Sequence, residues 1–395
     1  MTTLVSLQPI RFGFFAFFLG LGIYLPYFSP YLLAQGFSGS EVGVLLAAVM
    51  LAKLFAPPVL GWLVDRSGEV VRWLLMATGG ALLVSLLMMV SGWFSPGFFW
   101  WLILLILFGL LWQPLLSQMD VAALRLLGPR REQYPALRAW GSMGFIVSAM
   151  LLGLLIDHFG LFLVPMLLAG SLLFLLVSLF YLPEPGADPK AARPDDVGLV
   201  MQLRRPAMLG FLLGHFLIHT AHGVYYAFFS VHLAQLGYSA AAIGALWSLG
   251  VLAEIILFFL LPRFRHLFSP YYLLLLAIAL MAARWLLIGY QADVLWWLLF
   301  AQLLHAASFG MTHAVGIWVV DHQFTGSAHA RGMAVMSAVS YGGGAAAGLL
   351  LAGFLWDAVS PQTAFMVMTL ISLCALVIVA MSKAVIHWQS QTRHE

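Results

Sequence analysis

Apolar runs about as long as a bilayer is thick recur along the whole of this 395-residue chain, and nothing else constrains its fold so tightly. A helix needs about 20 apolar residues to cross ~30 Å of hydrocarbon. Runs of that kind lie at approximately 12 to 34, 42 to 63, 71 to 90, 98 to 122, 137 to 156, 161 to 182, 207 to 234, 241 to 260, 271 to 290, 294 to 320, 332 to 356 and 362 to 382. They predict an all-α membrane protein with 12 transmembrane helices. Composition agrees, because only 8% of residues are charged where a soluble domain carries roughly 25%. Met1 to Pro9 holds no basic residue and the first run does not stop at a small-residue cleavage site, so it reads as a retained span.

Loop charge orients the spans, since cytoplasmic loops retain Lys and Arg. With the N-terminus inside, every Lys and Arg outside the spans, from Arg11 to Arg393, falls in a cytoplasmic segment, and the outside loops hold only Glu41, Asp157, Asp293 and Asp357. Both termini are therefore expected in the cytoplasm. The net charge of +3 forms no basic stripe, which excludes nucleic acid as a partner. Cys374 is the sole cysteine, so no intrachain disulfide, Cys-based metal site or redox pair is available, and no cofactor is expected.

The Pro- and charge-rich stretch 183–206 is the only long polar break and divides the spans six and six. It predicts a six-helix bundle over 1–182, a cytoplasmic linker over 183–206, and a second bundle with a short tail over 207–395. The halves repeat. Gly36-Phe37-Ser38, Val42-Gly43 and Leu45 match Gly237-Tyr238-Ser239, Ile243-Gly244 and Leu246 at an offset of 201, and Gly153-x-Leu155-x-Asp157 matches Gly353-x-Leu355-x-Asp357 at 200. Parallel six-helix repeats are the build of major facilitator transporters, which bind substrate near the midplane between the repeats.

Five charges fall inside predicted spans: Lys53, Asp120, Arg138, Glu254 and Arg284. A charge at a helix centre costs roughly 2.5–3.5 kcal/mol on insertion scales, so such groups face a partner or a wet cavity. Lys53 and Glu254 occupy duplicated positions with opposite signs, which places both on a central cavity, pairs them in a structural ion pair, or leaves each satisfied within its own half. Asp120 and Arg138 flank one short loop and can meet across a helical hairpin, unless each snorkels to the interface. Arg284 lies too deep to snorkel, with Glu254 its nearest intramembrane acid in sequence. His215, His219 and His222 share one helix face, but no acid or thiolate completes a metal set, so they read as hydrogen-bonding core residues. Gln302, His305 and His313 can line a polar path in the tenth span. Pro26, Pro30, Pro57, Pro58 and Pro114 are expected to bend their helices.

Gly61-x-x-x-Asp65-Arg66-x-Gly68, between the second and third spans, resembles the signature loop of the major facilitator superfamily. Glu69 and Val70 replace the basic residues that usually follow, which alters the loop's charge network. Tyr134-x-x-Leu137-Arg138-x-Trp140-Gly141-Ser142, Ala221-His222-x-x-Tyr225-Tyr226, Leu246-Trp247-Ser248-Leu249-Gly250-Val251-x-Ala253-Glu254, Arg284-Trp285 and Gln302-x-Leu304-His305 resemble the bacterial 3-phenylpropionic acid transporter group. That group is similar to the lactose permease and nucleoside symporter families. The resemblance implies proton-coupled alternating access in the bacterial inner membrane, and a substrate-binding role for the Asp120–Arg138 pair.

The residue inventory suits an aromatic carboxylate. Arg138, Arg284 or Lys53 can fix the anion, while Trp140, Tyr225, Tyr226 and Trp247 pack the ring beside His222, Gln302 and His305. Asp120 or Glu254 is expected to carry the coupling proton, because burial favours a protonated carboxyl and a nearby guanidinium an ionised one. The expected partners are that small molecule, protons and the lipid bilayer, with the chain acting as a monomer. Competing readings are a proton symporter for a nucleoside or sugar, and proton-driven efflux of aromatic compounds. No nucleotide loop, metal set or nucleophile with its base accompanies the spans, so an enzyme is not expected.

Overall fold

Among the described residues eleven helical stretches are long and apolar enough to cross a membrane, and one of them, Phe98–Phe159, is 62 residues long. That stretch holds two crossings divided by a 3-10 turn at Gly128–Gln133, which restores the twelve expected spans. The structure is a computed structural model that describes residues 6–94, 96–186, 201–264, 267–324 and 327–382. Part of the linker (187–200) therefore lies outside the described residues, as do Lys190, Arg193, Arg265, Lys383 and Arg393.

The helices are α1 (Gln8–Ala34), α2 (Gly39–Ser67), α3 (Val70–Ser91), α4 (Phe98–Trp112 continuing as Leu115–Leu127), α5 (Tyr134–Phe159) and α6 (Leu163–Phe180). The second repeat supplies α7 (Pro206–Ala221 continuing as Gly223–Gln235), α8 (Ala240–Phe264), α9 (Pro270–Gln291), α10 (Leu295–Leu303, a π turn Ala306–Met311, then Thr312–Gln323), α11 (Ser327–Ser337, a π turn Ala338–Gly344, then Ala345–Ala358) and α12 (Pro361–Met381). Pro26, Pro30, Pro57 and Pro58 are absorbed inside helices. Pro114 instead breaks α4, whose second segment starts at Leu115.

Duplicated sequence produces duplicated local structure. Gly36 and Gly237 both take positive φ (93° and 87°), ending α1 and α7 in the left-handed conformation that glycine tolerates. The next serine then caps the following helix: Ser38 Oγ accepts from Glu41 N–H at 3.2 Å, and Ser239 Oγ from Ala242 N–H at 3.1 Å. The packing scheme repeats as well. α1 packs on α5 and α6 as α7 packs on α11 and α12, and α3 lies on α6 as α9 lies on α12. At the α1–α5 crossing a side chain on Gly144 would strike the Phe15 carbonyl, and at the α7–α11 crossing one on Gly344 would strike that of Phe216. These pairs stand at the offsets of 201 and 200 read from the sequence. Small residues are needed where helices approach this closely in lipid.

By internal contacts the chain divides into two compact units. One comprises the chain as far as the linker together with Tyr226–Ser248, and the other comprises the linker's end through Tyr225 and the chain from Leu249 onward. The segment Tyr226–Ser248, which belongs to the second repeat by sequence, is thus grouped with the first. Its attachment is polar as well as close. Asp157, at the end of α5, accepts the first two amide protons of α8, from Ala240 at 2.8 Å and Ala241 at 2.9 Å. A carboxylate there satisfies donors that have no partner within the helix and complements the helix dipole. The Tyr27 hydroxyl donates to Ala149 O at 2.6 Å and lies 3.1 Å from Ala240 O.

Candidate functional site

In the first unit the charged site is built by a hairpin. Asp120 rides on the second segment of α4, Gly128 (φ 55°) opens the 3-10 turn, and α5 then carries Tyr134 and Arg138 one helical turn apart on the same face. The Tyr134 hydroxyl donates to Asp120 Oδ1 at 2.8 Å, and Arg138 Nε lies 3.7 Å from the same oxygen. The two charged side chains are 31% and 30% exposed. The guanidinium also lies over Phe18 and Phe14 of α1, with Cζ 4.9 and 5.3 Å from the ring centroids. Its Nη1 is buried and has no hydrogen-bond partner among the described residues. Asp120 therefore engages one edge of the guanidinium while a terminal nitrogen is left for another acceptor.

The second unit holds a denser cluster. Arg284 of α9 is fully buried; its Nε donates to Ala301 O at 3.0 Å and its Nη1 to Ser308 Oγ at 3.1 Å. Cζ stands 4.2 Å from the Tyr225 ring centroid and 4.8 Å from that of Trp285. The Tyr225 hydroxyl donates to Gln302 Oε1 at 3.1 Å. His305 Nε2 lies 3.6 Å from Glu254 Oε2, and the His305 ring stacks on Phe309 at 5.5 Å, which stacks in turn on His313 at 6.1 Å. His313 Nδ1 and the Tyr341 hydroxyl are 2.6 Å apart, joining the π-turn regions of α10 and α11. On α7, His222 Nδ1 donates to Ile218 O at 2.7 Å, because a carbonyl can only accept, and the ring sits edge-on to Trp285 at 5.1 Å.

The structure thus brings Asp120 and Arg138 together, and gathers His222, Tyr225, Arg284, Gln302 and His305 around one another. Trp140 lies apart from the Arg138 cluster. Two positions further along α5 it faces elsewhere, edge-on to Phe12 at 6.0 Å. Trp247 is in the first unit, with its indole N–H on Ser230 Oγ at 2.9 Å and its ring against Phe229 at 5.7 Å and Phe145 at 6.4 Å. Tyr226 belongs to that unit too, and Lys53 and Glu254 fall in different units. Glu254, the intramembrane acid nearest Arg284 in sequence, stands beside His305. His215, His219 and His222 do follow one face, with successive ring centroids 6.4 and 6.1 Å apart. Among the described residues no group of three His, Cys, Asp or Glu side chains is placed to hold a metal ion.

At the signature loop, Gly68 (φ 77°) ends α2 in the left-handed conformation, and Asp65 lies 3.9 Å from Arg125 Nη2 at the end of α4. Arg66 stacks over Trp62 at 5.5 Å, and Glu69, the departure from the usual pattern, pairs with Arg72 at 2.8 Å. Sequence reasoning missed Ser308, Phe309 and Tyr341. Ser308 is a small polar residue in an apolar run, and its alignment with Arg284 depends on a π turn that periodicity does not reveal.

Twelve apolar helices in two matching sets of six, with ionic groups buried inside them, define a membrane transporter. The chain belongs to the MFS_1 like family, whose sequence profile matches residues 7–367. Membership makes it a transporter of the major facilitator type and not an enzyme. It is 30% identical, over 94% of its length and 97% of the relative's, to an Escherichia coli (strain K12) protein described as a probable 3-phenylpropionic acid transporter. It is also 25% identical to the maltose permease of Geobacillus stearothermophilus, over 93% of each chain. The crystal structure of the nucleoside transporter NupG superposes with a TM-score of 0.80 at 15% identity, covering 96% of this chain and 99% of that one. At that identity the likeness speaks for the fold alone.

Proposed function

We propose that the protein imports a small aromatic carboxylate such as 3-phenylpropionate with protons, by alternating access, as a monomer in the bacterial inner membrane with both termini cytoplasmic. The observation that carries this reading is the state of Arg138: a guanidinium inside a membrane-spanning bundle, held at one edge by Asp120, lying on two phenyl rings, with its buried Nη1 lacking a hydrogen-bond partner among the described residues. A carboxylate is the complement of that fork, and an aromatic body suits the Phe14 and Phe18 faces. The relative described as a 3-phenylpropionic acid transporter supports the same substrate class.

In this reading Arg138 binds the anion while Asp120 and Tyr134 hold its orientation. Arg284, caged by Tyr225 and Trp285, supplies a second cation, and Glu254 beside His305 carries the coupling proton. Uptake into proteoliposomes under an imposed pH gradient tests the proposal, with labelled 3-phenylpropionate, uridine and maltose offered in parallel. Accumulation of 3-phenylpropionate alone is expected. Accumulation of uridine or maltose without it would replace this reading by a nucleoside or sugar symporter.

Ser308 gives a sharper local expectation. Its hydroxyl accepts from Arg284 and lies 3.4 Å from His305 O, so it ties the buried cation to the residue that faces Glu254. A buried hydrogen bond to a charged group contributes about 1.5–3 kcal/mol. Ser308→Ala is therefore expected to raise the KM for uptake roughly tenfold or more, while Ser308→Thr, which keeps the hydroxyl, stays near wild type.

A further inference from the structure

Phe14, Phe17, Phe18, Tyr24 and Phe28 recur along α1 at helical spacing, so they form one stripe. Their rings make a continuous series that begins at the proposed anion site. Arg138 lies over Phe18, Phe18 meets Phe17 at 5.5 Å, Phe17 meets Trp112 of α4 at 5.6 Å, and Trp112 meets Tyr24 at 5.1 Å with the planes at 67°. Phe108 lies 4.9 Å from Trp112 and 6.3 Å from Tyr24, and the series runs on from Tyr24 through Phe28 and Tyr31 to Trp101.

Four buried polar atoms of this series lack a hydrogen-bond partner among the described residues, and those of Tyr24 and Trp112 stand nearer the proposed anion site than those of Tyr31 and Trp101. Tyr24 and Trp112 are only 3% and 2% exposed, yet the Tyr24 hydroxyl and the Trp112 indole N–H have no hydrogen-bond partner among the described residues. A phenol can accept from an indole, but these two do not bond each other although their rings touch. Native proteins rarely leave buried donors unsatisfied, and such groups call for an explanation. Phe or Leu would fill the same space without that cost.

We propose that this stripe is the ring-binding part of the substrate site, and that Tyr24 and Trp112 select arylalkanoic acids bearing a hydroxyl on the ring. The inference rests on Arg138 holding the carboxylate. Phe18 and Tyr24 are six residues apart, about 9 Å along the helix, which matches the span from carboxylate to far ring edge in an arylpropanoate. A phenolic oxygen at that edge accepts from the Trp112 N–H, and its own O–H donates to the Tyr24 oxygen. One hydroxyl thereby satisfies both groups, whereas an unsubstituted ring satisfies neither.

Binding to the purified full-length protein in detergent, with 3-(4-hydroxyphenyl)propionate and 3-phenylpropionate as probes, tests this. Wild type is expected to bind the hydroxylated acid roughly tenfold more tightly, the value of a well-made hydrogen bond. Tyr24→Phe and Trp112→Phe should each move that ratio toward one, because each removes one polar partner of the ring hydroxyl. Tyr31→Phe is the control: that residue lies thirteen positions beyond Phe18, about 20 Å, out of the ligand's reach, so the ratio should hold. A wild-type ratio near or below one, or an unmoved ratio in both phenylalanine variants, overturns the inference while leaving the carboxylate reading intact. If neither acid binds wild type, the carboxylate reading itself falls.

Discussion

Glu254→Gln is expected to abolish uphill accumulation while sparing exchange of substrate across the membrane. Glutamine keeps the shape and hydrogen-bonding reach of the side chain and loses only the ability to take up and release a proton. Glu254 stands 3.6 Å from His305, whose ring begins the stack through Phe309 to His313, so the carboxyl sits at the head of a series of titratable and aromatic groups. If its protonation links the proton gradient to the transport cycle, the glutamine variant still binds substrate and still alternates when loaded on both sides. In proteoliposomes a gradient of one pH unit can drive at most about tenfold accumulation per coupled proton. The variant should equilibrate at a ratio of one under that gradient and retain counterflow with preloaded vesicles. Net accumulation by the variant would transfer the coupling role elsewhere, with Asp120 the next candidate.

Arg138→Ala should cost roughly 10- to 100-fold in apparent substrate affinity, since a hydrogen bond to a charged group contributes about 1.5–3 kcal/mol. Part of that loss is indirect, because Asp120 would be left in the bundle with only the Tyr134 hydroxyl. Arg138→Lys separates charge from geometry. An ammonium cannot present one edge to Asp120 and another to a carboxylate while lying flat on Phe14 and Phe18. Lysine should therefore recover only a small part of the loss. Measuring Arg138→Ala and Asp120→Ala singly and together apportions the effect: a double variant close to the Arg138→Ala value places both residues in one unit of function. Independent, additive losses would place Asp120 outside the substrate site.

The apolar runs and the repeat offsets made the twelve helices and their pairing legible, because lipid imposes a minimum length on each span and duplication leaves matching turns at Gly36 and Gly237. The Asp120–Arg138 contact was legible for a similar reason, since a short loop leaves two helix ends little choice of neighbour. Tyr134 entered the sequence reading only within the Tyr134–Ser142 motif, although helical period sets it one turn before Arg138 and sets Trp140 on another face. The second cluster was less accessible. The register of α10 changes at Ala306–Met311, so which residues face Arg284 depends on a hydrogen-bond shift that leaves no mark in hydropathy. Nearness in sequence pointed from Arg284 to Glu254, but gave no link from that carboxylate to His305 of α10, which lies 3.6 Å from it. The grouping of Tyr226–Ser248 with the first unit also lay beyond a reading that divides the chain at its polar linker, because it depends on two amide protons and two glycines.

The clasp made by Asp157 and Tyr27 on Ala240 and Ala241 joins segments that a gene cut between the repeats would place on separate polypeptides. Gly153 and Gly244 let the two backbones come together there, since a side chain on Gly153 would strike the Ala240 carbonyl and one on Gly244 that of Ala149. Co-expressed fragments ending and beginning in the linker would thus carry a built-in means of recognising each other, and reconstitution from two pieces would not depend on the covalent tether.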